Sequence, residues 1–191
     1  MFTVKNKYFL IIESIRDLNL RNIKKFNKFI IIYRNNNIKE KIHDILKFRM
    51  SCKNKLIKFY VANDISLTVS TKADGIYLSA YNKNFKSLCL KRLNCEIIGS
   101  AHNTKEIELK RKQRCSSILF SKLFRVDYDK NSPFLGVIKF NKYFNLISNK
   151  LVPLGGIKEN NLNSMKILNS KSCALFTEIK KKPAKIINRL F

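Results

Sequence analysis

The chain has 191 residues, 45% of them hydrophobic and spread along the whole length, so it can bury a core and is not a disordered polymer despite its charge. The formal net charge of +26, from 39 basic against 13 acidic residues, raises nucleic acid or an anionic membrane as a partner. Two features oppose that: Lys, Asn, Ile and Phe are enriched together, as an A/T-rich coding sequence produces, and the densest basic runs, Lys110 to Arg114 and Lys180 to Lys182, carry no RNP-type or zinc-finger signature. Composition is the preferred account of the charge, with nucleic acid as the lesser alternative. A membrane span is not expected, because apolar runs such as Tyr8 to Ile12 fall far short of the roughly twenty residues needed.

Short apolar runs alternate with stretches of helical spacing, the pattern of repeated βα units. Eight runs predict strands: Tyr8 to Ile12, Phe29 to Tyr33, Lys58 to Ala62, Gly75 to Leu78, Glu96 to Gly99, Ser117 to Phe120, Leu151 to Leu154, and Cys173 to Thr177. The first, second and sixth are apolar on consecutive residues, as in a parallel sheet covered on both faces. Between them, Ile38, Ile42, Ile45 and Leu46 predict one inward helical face, and Phe140, Tyr143, Phe144 and Ile147 another. Ile65 to Thr71 is a short Ser/Thr-rich helix; Asn103 with Glu106 makes an N-cap pair; Pro183 to Phe191, carrying Ile186, Ile187 and Leu190, supplies a closing helix. Strict alternation predicts an α/β fold, a small (β/α)8 barrel with short loops and a single domain over residues 1–191, with a doubly wound open sheet as the alternative.

Cys52, Cys89, Cys95, Cys115 and Cys173 form an odd set without a C-x-x-C pair, and only two histidines accompany them, so no zinc site is expected. Without a recognisable signal sequence, they predict a reducing, cytoplasmic setting.

In such a barrel, chemistry gathers where strands end. Arg34 follows the second strand, Asn63 and Asp64 the third, Ser100 and His102 the fifth, Gly155 and Gly156 the seventh, and Thr177 ends the eighth. Adjacent glycines let backbone N–H groups approach an anion, and the next segment can present a helix N-terminus to it; this predicts a phosphate site. Each residue has a plainer reading: Arg34 as surface charge, Asn63 and Asp64 as a helix cap, His102 as a rim polar group, the glycines as a turn.

The stretches IIIYR at Ile30 to Arg34, VAND at Val61 to Asp64, ADGIYL at Ala73 to Leu78, IIGSAH at Ile97 to His102, SKLF at Ser121 to Phe124 and PLGGI at Pro153 to Ile157 resemble, in order and spacing, the thiamine-phosphate synthase and thiazole tautomerase family. The resemblance implies an enzyme that joins hydroxymethylpyrimidine pyrophosphate to thiazole phosphate, with magnesium assisting departure of pyrophosphate. It assigns Arg34 to the pyrophosphate, Asn63 to the pyrimidine end, Asp64 to the metal and Ser100 to the pyrimidine. Gly155, Gly156 and Thr177 fall to the thiazole phosphate, and Lys130 stands in, slightly displaced, for a pyrophosphate-loop lysine. In the tautomerase branch His102 would shuttle a proton on the thiazole ring. The chain departs from the family pattern at Ile32 (Gln), Asn36 (Lys), Asn82 (Asp), and Arg125 and Val126 (Pro-Thr), and loss of a carboxylate weakens magnesium binding. The expected function is a divergent synthase acting on small phosphorylated substrates. The alternatives are a tautomerase using His102, or a barrel that binds phosphate or nucleic acid without catalysis.

Overall fold

The computed structural model describes residues 6–23, 27–35, 40–127, 129 and 131–176. Eight strands are present: β1 (Lys7–Ile12), β2 (Phe29–Tyr33), β3 (Lys58–Ala62), β4 (Gly75–Leu78), β5 (Glu96–Ala101), β6 (Ser117–Phe120), β7 (Leu151–Pro153) and β8 (Ser172–Leu175). They form one sheet in the order β7-β6-β5-β4-β3-β2-β1-β8, with every neighbouring pair parallel. A parallel bridge between Leu154 and Ala174 joins the two ends. This is the (β/α)8 barrel expected from the alternation of apolar runs, and the strands fall within two residues of their predicted bounds.

The outer layer differs from expectation. The α-helices among the described residues are α1 (Ile42–Asn54), α2 (Ile65–Ser70), α3 (Thr104–Lys112) and α4 (Gly136–Leu146). The connections after β1, β4 and β7 are built instead from 3-10 segments at Ile15–Asp17 and Leu20–Asn22, at Lys86–Leu93, and at Glu159–Ile167. After β1 the cause is local. Asp17 Oδ2 accepts the Glu13 and Ser14 amides at 2.9 Å each, and the Ser14 and Asn19 side chains accept the amides two residues on, drawing the chain into tight turns. In α1 the buried residues are Ile45, Arg49 and Cys52, whereas Ile42 and Leu46 are exposed, so the helix is rotated from the predicted face. The Arg49 guanidinium explains the rotation: it is drawn inward to Asp74 Oδ1 at 2.9 Å, while Asp74 Oδ2 accepts the Phe59 amide. Asn103 caps α3 as predicted, its Oδ1 accepting the Glu106 amide at 2.9 Å. Ile38 and the segment Pro183 to Phe191 lie outside the described residues.

Strand alternation divides the core into two layers. Phe9, Ile11, Ile30, Ile32, Tyr60, Tyr77, Ile98, Leu119, Val152 and Ala174 fill the barrel. Their strand neighbours, among them Tyr8, Leu10, Ile31, Phe59 and Ile118, pack outward under the helices. At the start of β5, Glu96 gathers donors from Tyr60, Lys58 and Ser116. Burial alone would raise its pKa, but these three donors prevail and hold it at about 2. Extending the inward parity past the C-terminal ends gives Arg34 after Ile32, Ser79 after Tyr77, Ser100 and His102 after Ile98, and Ser121 after Leu119. That parity delivers polar side chains to the mouth of an otherwise apolar barrel.

Candidate active site

At that mouth lies a cavity of about 340 Å³ whose walls include Arg34, Tyr77, Ser100, His102, Lys122, Gly155, Gly156 and Lys158. Five residues singled out from the sequence, Arg34, Ser100, His102, Gly155 and Gly156, are thus brought together.

The floor carries a buried polar pair. The Tyr77 hydroxyl donates to Ser100 Oγ at 2.9 Å, which leaves the Ser100 proton as the donor toward any further partner. Burial raises the Tyr77 pKa, only partly offset by the bond to Ser100 and the nearby Arg34 charge, so the phenol stays protonated. His102 is steered from outside. Glu106 Oε2 accepts the His102 amide at 2.7 Å and lies 3.1 Å from Nδ1, and Glu106 Oε1 takes a bond from Asn103 Nδ2. A proton on Nδ1 toward that carboxylate leaves Nε2 as the basic nitrogen, a tautomer assigned from the hydrogen-bond pattern.

The glycine turn has a conformational reason. Gly155 and Gly156 adopt φ values of +93° and +69°, and a Cβ on Gly156 would lie 2.4 Å from the Phe124 carbonyl oxygen and 2.6 Å from that of Arg125. The loop after β6 rests on this turn, the Leu123 and Phe124 amides donating to the Leu154 and Gly155 carbonyls. Beyond the glycines the chain enters the 3-10 segment Glu159–Ile167, in place of the helix N-terminus expected there. Asn161 braces it: its Nδ2 donates to the Gly156 carbonyl at 2.7 Å, and its Oδ1 accepts the Lys158 amide at 2.8 Å.

Asn63 and Asp64 lie elsewhere. Asp64 is the N-cap of α2, its Oδ1 accepting the Leu67 amide at 2.8 Å, and it faces an adjoining depression with Tyr33, Asn35 and Glu40. Asn63, at φ +59°, ties β3 to the loop after β4 by accepting the Ser79 amide and Asn82 Nδ2. Lys130, Thr177 and Asn36 lie outside the described residues.

The structure adds a residue that the sequence pattern did not single out. Lys110 is fully buried, and its ammonium donates to the carbonyls of Ser79 (2.7 Å) and Asn82 (2.8 Å) and to Gln113 Oε1 (2.9 Å). Gln113 Nε2 in turn holds the Asn82 and Asn84 carbonyls, so these two side chains pin the loop after β4 that carries Ser79 and Tyr81 to the cavity. Burial lowers the Lys110 pKa. Room for its stem comes from Gly99, where a Cβ would sit 2.8 Å from Lys110 Cδ. The available signal was its phase: Lys110 lies three residues after Ile107 on the inner face of α3.

Among the described residues no three His, Cys, Asp or Glu side chains converge. Of the two positions at which the family resemblance implies magnesium ligands, 64 and 82, one carries a carboxylate, Asp64, already engaged as a cap. Asn82 Nδ2 donates to Asn63 Oδ1, its Oδ1 accepts the Asn84 amide, and its backbone carbonyl is taken by the Lys110 ammonium. With the Asp64 and Asn82 side-chain oxygens engaged by the Leu67 and Asn84 amides and an ammonium on the Asn82 backbone carbonyl, these residues do not fit a magnesium site. No helix among the described residues is long and apolar enough to cross a membrane.

Comparison with known proteins bears on the family and the fold. A thiamine-phosphate synthase of Prochlorococcus marinus subsp. pastoris is 26% identical over 135 residues, covering 70% of this chain and 38% of the relative. A thiamine-phosphate synthase of Prochlorococcus marinus strain AS9601 is 25% identical over 139 residues, covering 72% and 40%. The chain therefore spans about two fifths of the length of these curated relatives. In fold it is similar to a thiamine phosphate pyrophosphorylase from Pyrococcus furiosus (TM-score 0.73, 17% identity, 98% of each chain). It is also similar to a 3-keto-L-gulonate-6-phosphate decarboxylase from Vibrio cholerae (TM-score 0.61, 13% identity, 98% of this chain and 99% of that one). The family model described as thiamine monophosphate synthase matches residues 20–179, and the chain belongs to that family.

Proposed function

We propose that this protein is a divergent thiamine-phosphate synthase, a transferase that couples hydroxymethylpyrimidine pyrophosphate to thiazole phosphate and releases pyrophosphate. The observation that carries the reading is the meeting of Arg34 with the Gly155–Gly156 turn in one cavity at the C-terminal mouth. The glycine turn, with Thr177, receives the thiazole phosphate. Arg34 receives the pyrophosphate, and as the carbon–oxygen bond to the pyrimidine methylene breaks, with the electron pair going to pyrophosphate, the guanidinium stabilises the growing negative charge. The thiazole nitrogen then forms the new carbon–nitrogen bond. Ser100, oriented by Tyr77, donates to the pyrimidine ring and holds its methylene toward that nitrogen.

Purified protein supplied with both substrates, with and without magnesium, should form thiamine phosphate. Arg34→Met should slow the reaction by roughly a hundredfold, the usual loss when a group that stabilises developing charge is removed. A second reading is favoured by one observation, the Glu106 carboxylate at His102 Nδ1, which suits a proton shuttle and hence thiazole tautomerisation. If thiamine phosphate is absent but thiazole isomerises, and His102→Ala abolishes that, the tautomerase reading replaces the synthase. If neither reaction occurs, the barrel is a phosphate binder only.

A further inference from the structure

Two lysines besides Arg34 bring positive charge to the cavity, and both are occupied by acidic residues of the loop after β6. Lys122 Nζ donates to Asp129 Oδ2 at 2.6 Å and to Ser132 Oγ. Lys158, two residues beyond Gly156, donates from Nζ to Asp127 Oδ1. Lys158 and Asp127 are both cavity residues. The backbone of Lys158 is held by Asn161, so its side chain leaves from a fixed point beside the glycine turn. Asp127 sits in a tight turn closed by the antiparallel bridge between Val126 and Asp129, and buried Val126 anchors that turn.

The pair stands at the solvent edge, with side chains 32% and 46% exposed, where an ion pair between flexible groups is weak. A phosphate monoester carries more charge than a carboxylate and has three acceptor oxygens, so it displaces a carboxylate from an ammonium. We infer that Lys158 is an anion-binding residue of this cavity, and that Asp127 occupies its ammonium in the ligand-free protein as an internal competitor for phosphate. The inference rests on the reading that the cavity receives a phosphorylated ligand, and it adds to that reading both a binding residue and a built-in brake on binding. Ligand entry exchanges the Asp127 carboxylate for a phosphate oxygen on Lys158.

The test is titration calorimetry of the full chain with inorganic phosphate and with pyrophosphate. Asp127→Asn should tighten binding by about threefold to fivefold, the strength of an exposed ion pair removed as competitor. Lys158→Met should weaken binding by about tenfold or more, as loss of a charge-assisted bond does. In the double variant the benefit of Asp127→Asn should vanish, because Asp127 acts through Lys158; a gain that persists would mean general electrostatics and would overturn the inference. Binding that falls in Arg34→Met but not in Lys158→Met keeps the cavity reading and rejects this inference. Phosphate binding indifferent to both Arg34→Met and Lys158→Met, or absent from every variant including Asp127→Asn, rejects the cavity reading and this inference together.

Discussion

Replacing Lys110 with methionine asks whether a charge sealed inside a barrel wall stabilises its surroundings. Methionine keeps the length and volume of the stem but removes the ammonium, which makes three bonds of 2.7 to 2.9 Å to Ser79, Asn82 and Gln113. Bonds to a charged group contribute about 1.5 to 3 kcal/mol each, so three amount to about 6 kcal/mol, against which stands a burial cost of several kcal/mol for the ammonium. The Asn82 carbonyl keeps its bond from Gln113, whereas the Ser79 carbonyl loses the ammonium, so a net loss of about 2 to 4 kcal/mol is expected. Urea denaturation measures that loss, and hydrogen exchange should show faster exchange confined to residues 79–84. A variant as stable as the parent, with that loop equally protected, would refute the argument, since the ammonium would then cost as much to bury as its bonds contribute.

Gly99→Ala should destabilise by about 1 to 3 kcal/mol, because its Cβ would meet Lys110 Cδ at 2.8 Å and Cys115 Sγ at 3.0 Å. Denaturation of the double variant with Lys110→Ala should show a smaller increment, the sign of a shared space. Gly156→Ala should cost at least about 2 kcal/mol from its positive φ and its collision with the Phe124 and Arg125 carbonyls, and phosphate titration should register a loss of affinity larger than that of Gly155→Ala, whose Cβ meets nothing nearer than 3.3 Å. Glu96 has a folded pKa of about 2 against an ordinary 4.5, so it binds fewer protons folded than unfolded between those values. Its stabilisation is full above about pH 4.5 and is lost as pH falls toward 2, and the shift corresponds to about 3 kcal/mol. The stability gap between the parent and Glu96→Gln should therefore be wide at pH 7 and narrow steadily below pH 4.5 in denaturation series.

The strands were legible because a parallel strand buried on both faces writes itself as an unbroken apolar run, as FIIIY does in β2, where every residue is buried. The cavity residues Arg34 and Ser100 were legible as residues at the C-terminal ends of such runs, whereas their facing the mouth comes from the two-residue alternation seen in the structure. The 3-10 connection after β1 was not legible, because Ser14, Asn19 and Asp17 redirect the chain through side-chain bonds that leave no periodic trace. Asp64 shows the ambiguity of a residue type: the same short carboxylate suits a metal and a helix cap, and α2 takes it as a cap. Lys110 was hidden because a lysine reads as solvated surface, and the space that admits it comes from Gly99 on a neighbouring strand. Lys158 was lost among the many other basic residues until its placement beside Gly156 set it apart.

Among the described residues the Leu154–Ala174 bridge places the least reinforced seam of the cylinder between β7 and β8, two of the strands whose ends border the cavity. A molecule gripped from both margins of such a seam acts as a rivet, and its grip adds to the integrity of the whole cylinder. Occupancy and mechanical closure are then one equilibrium, so a saturated protein should resist heat and proteases beyond what its own side chains provide.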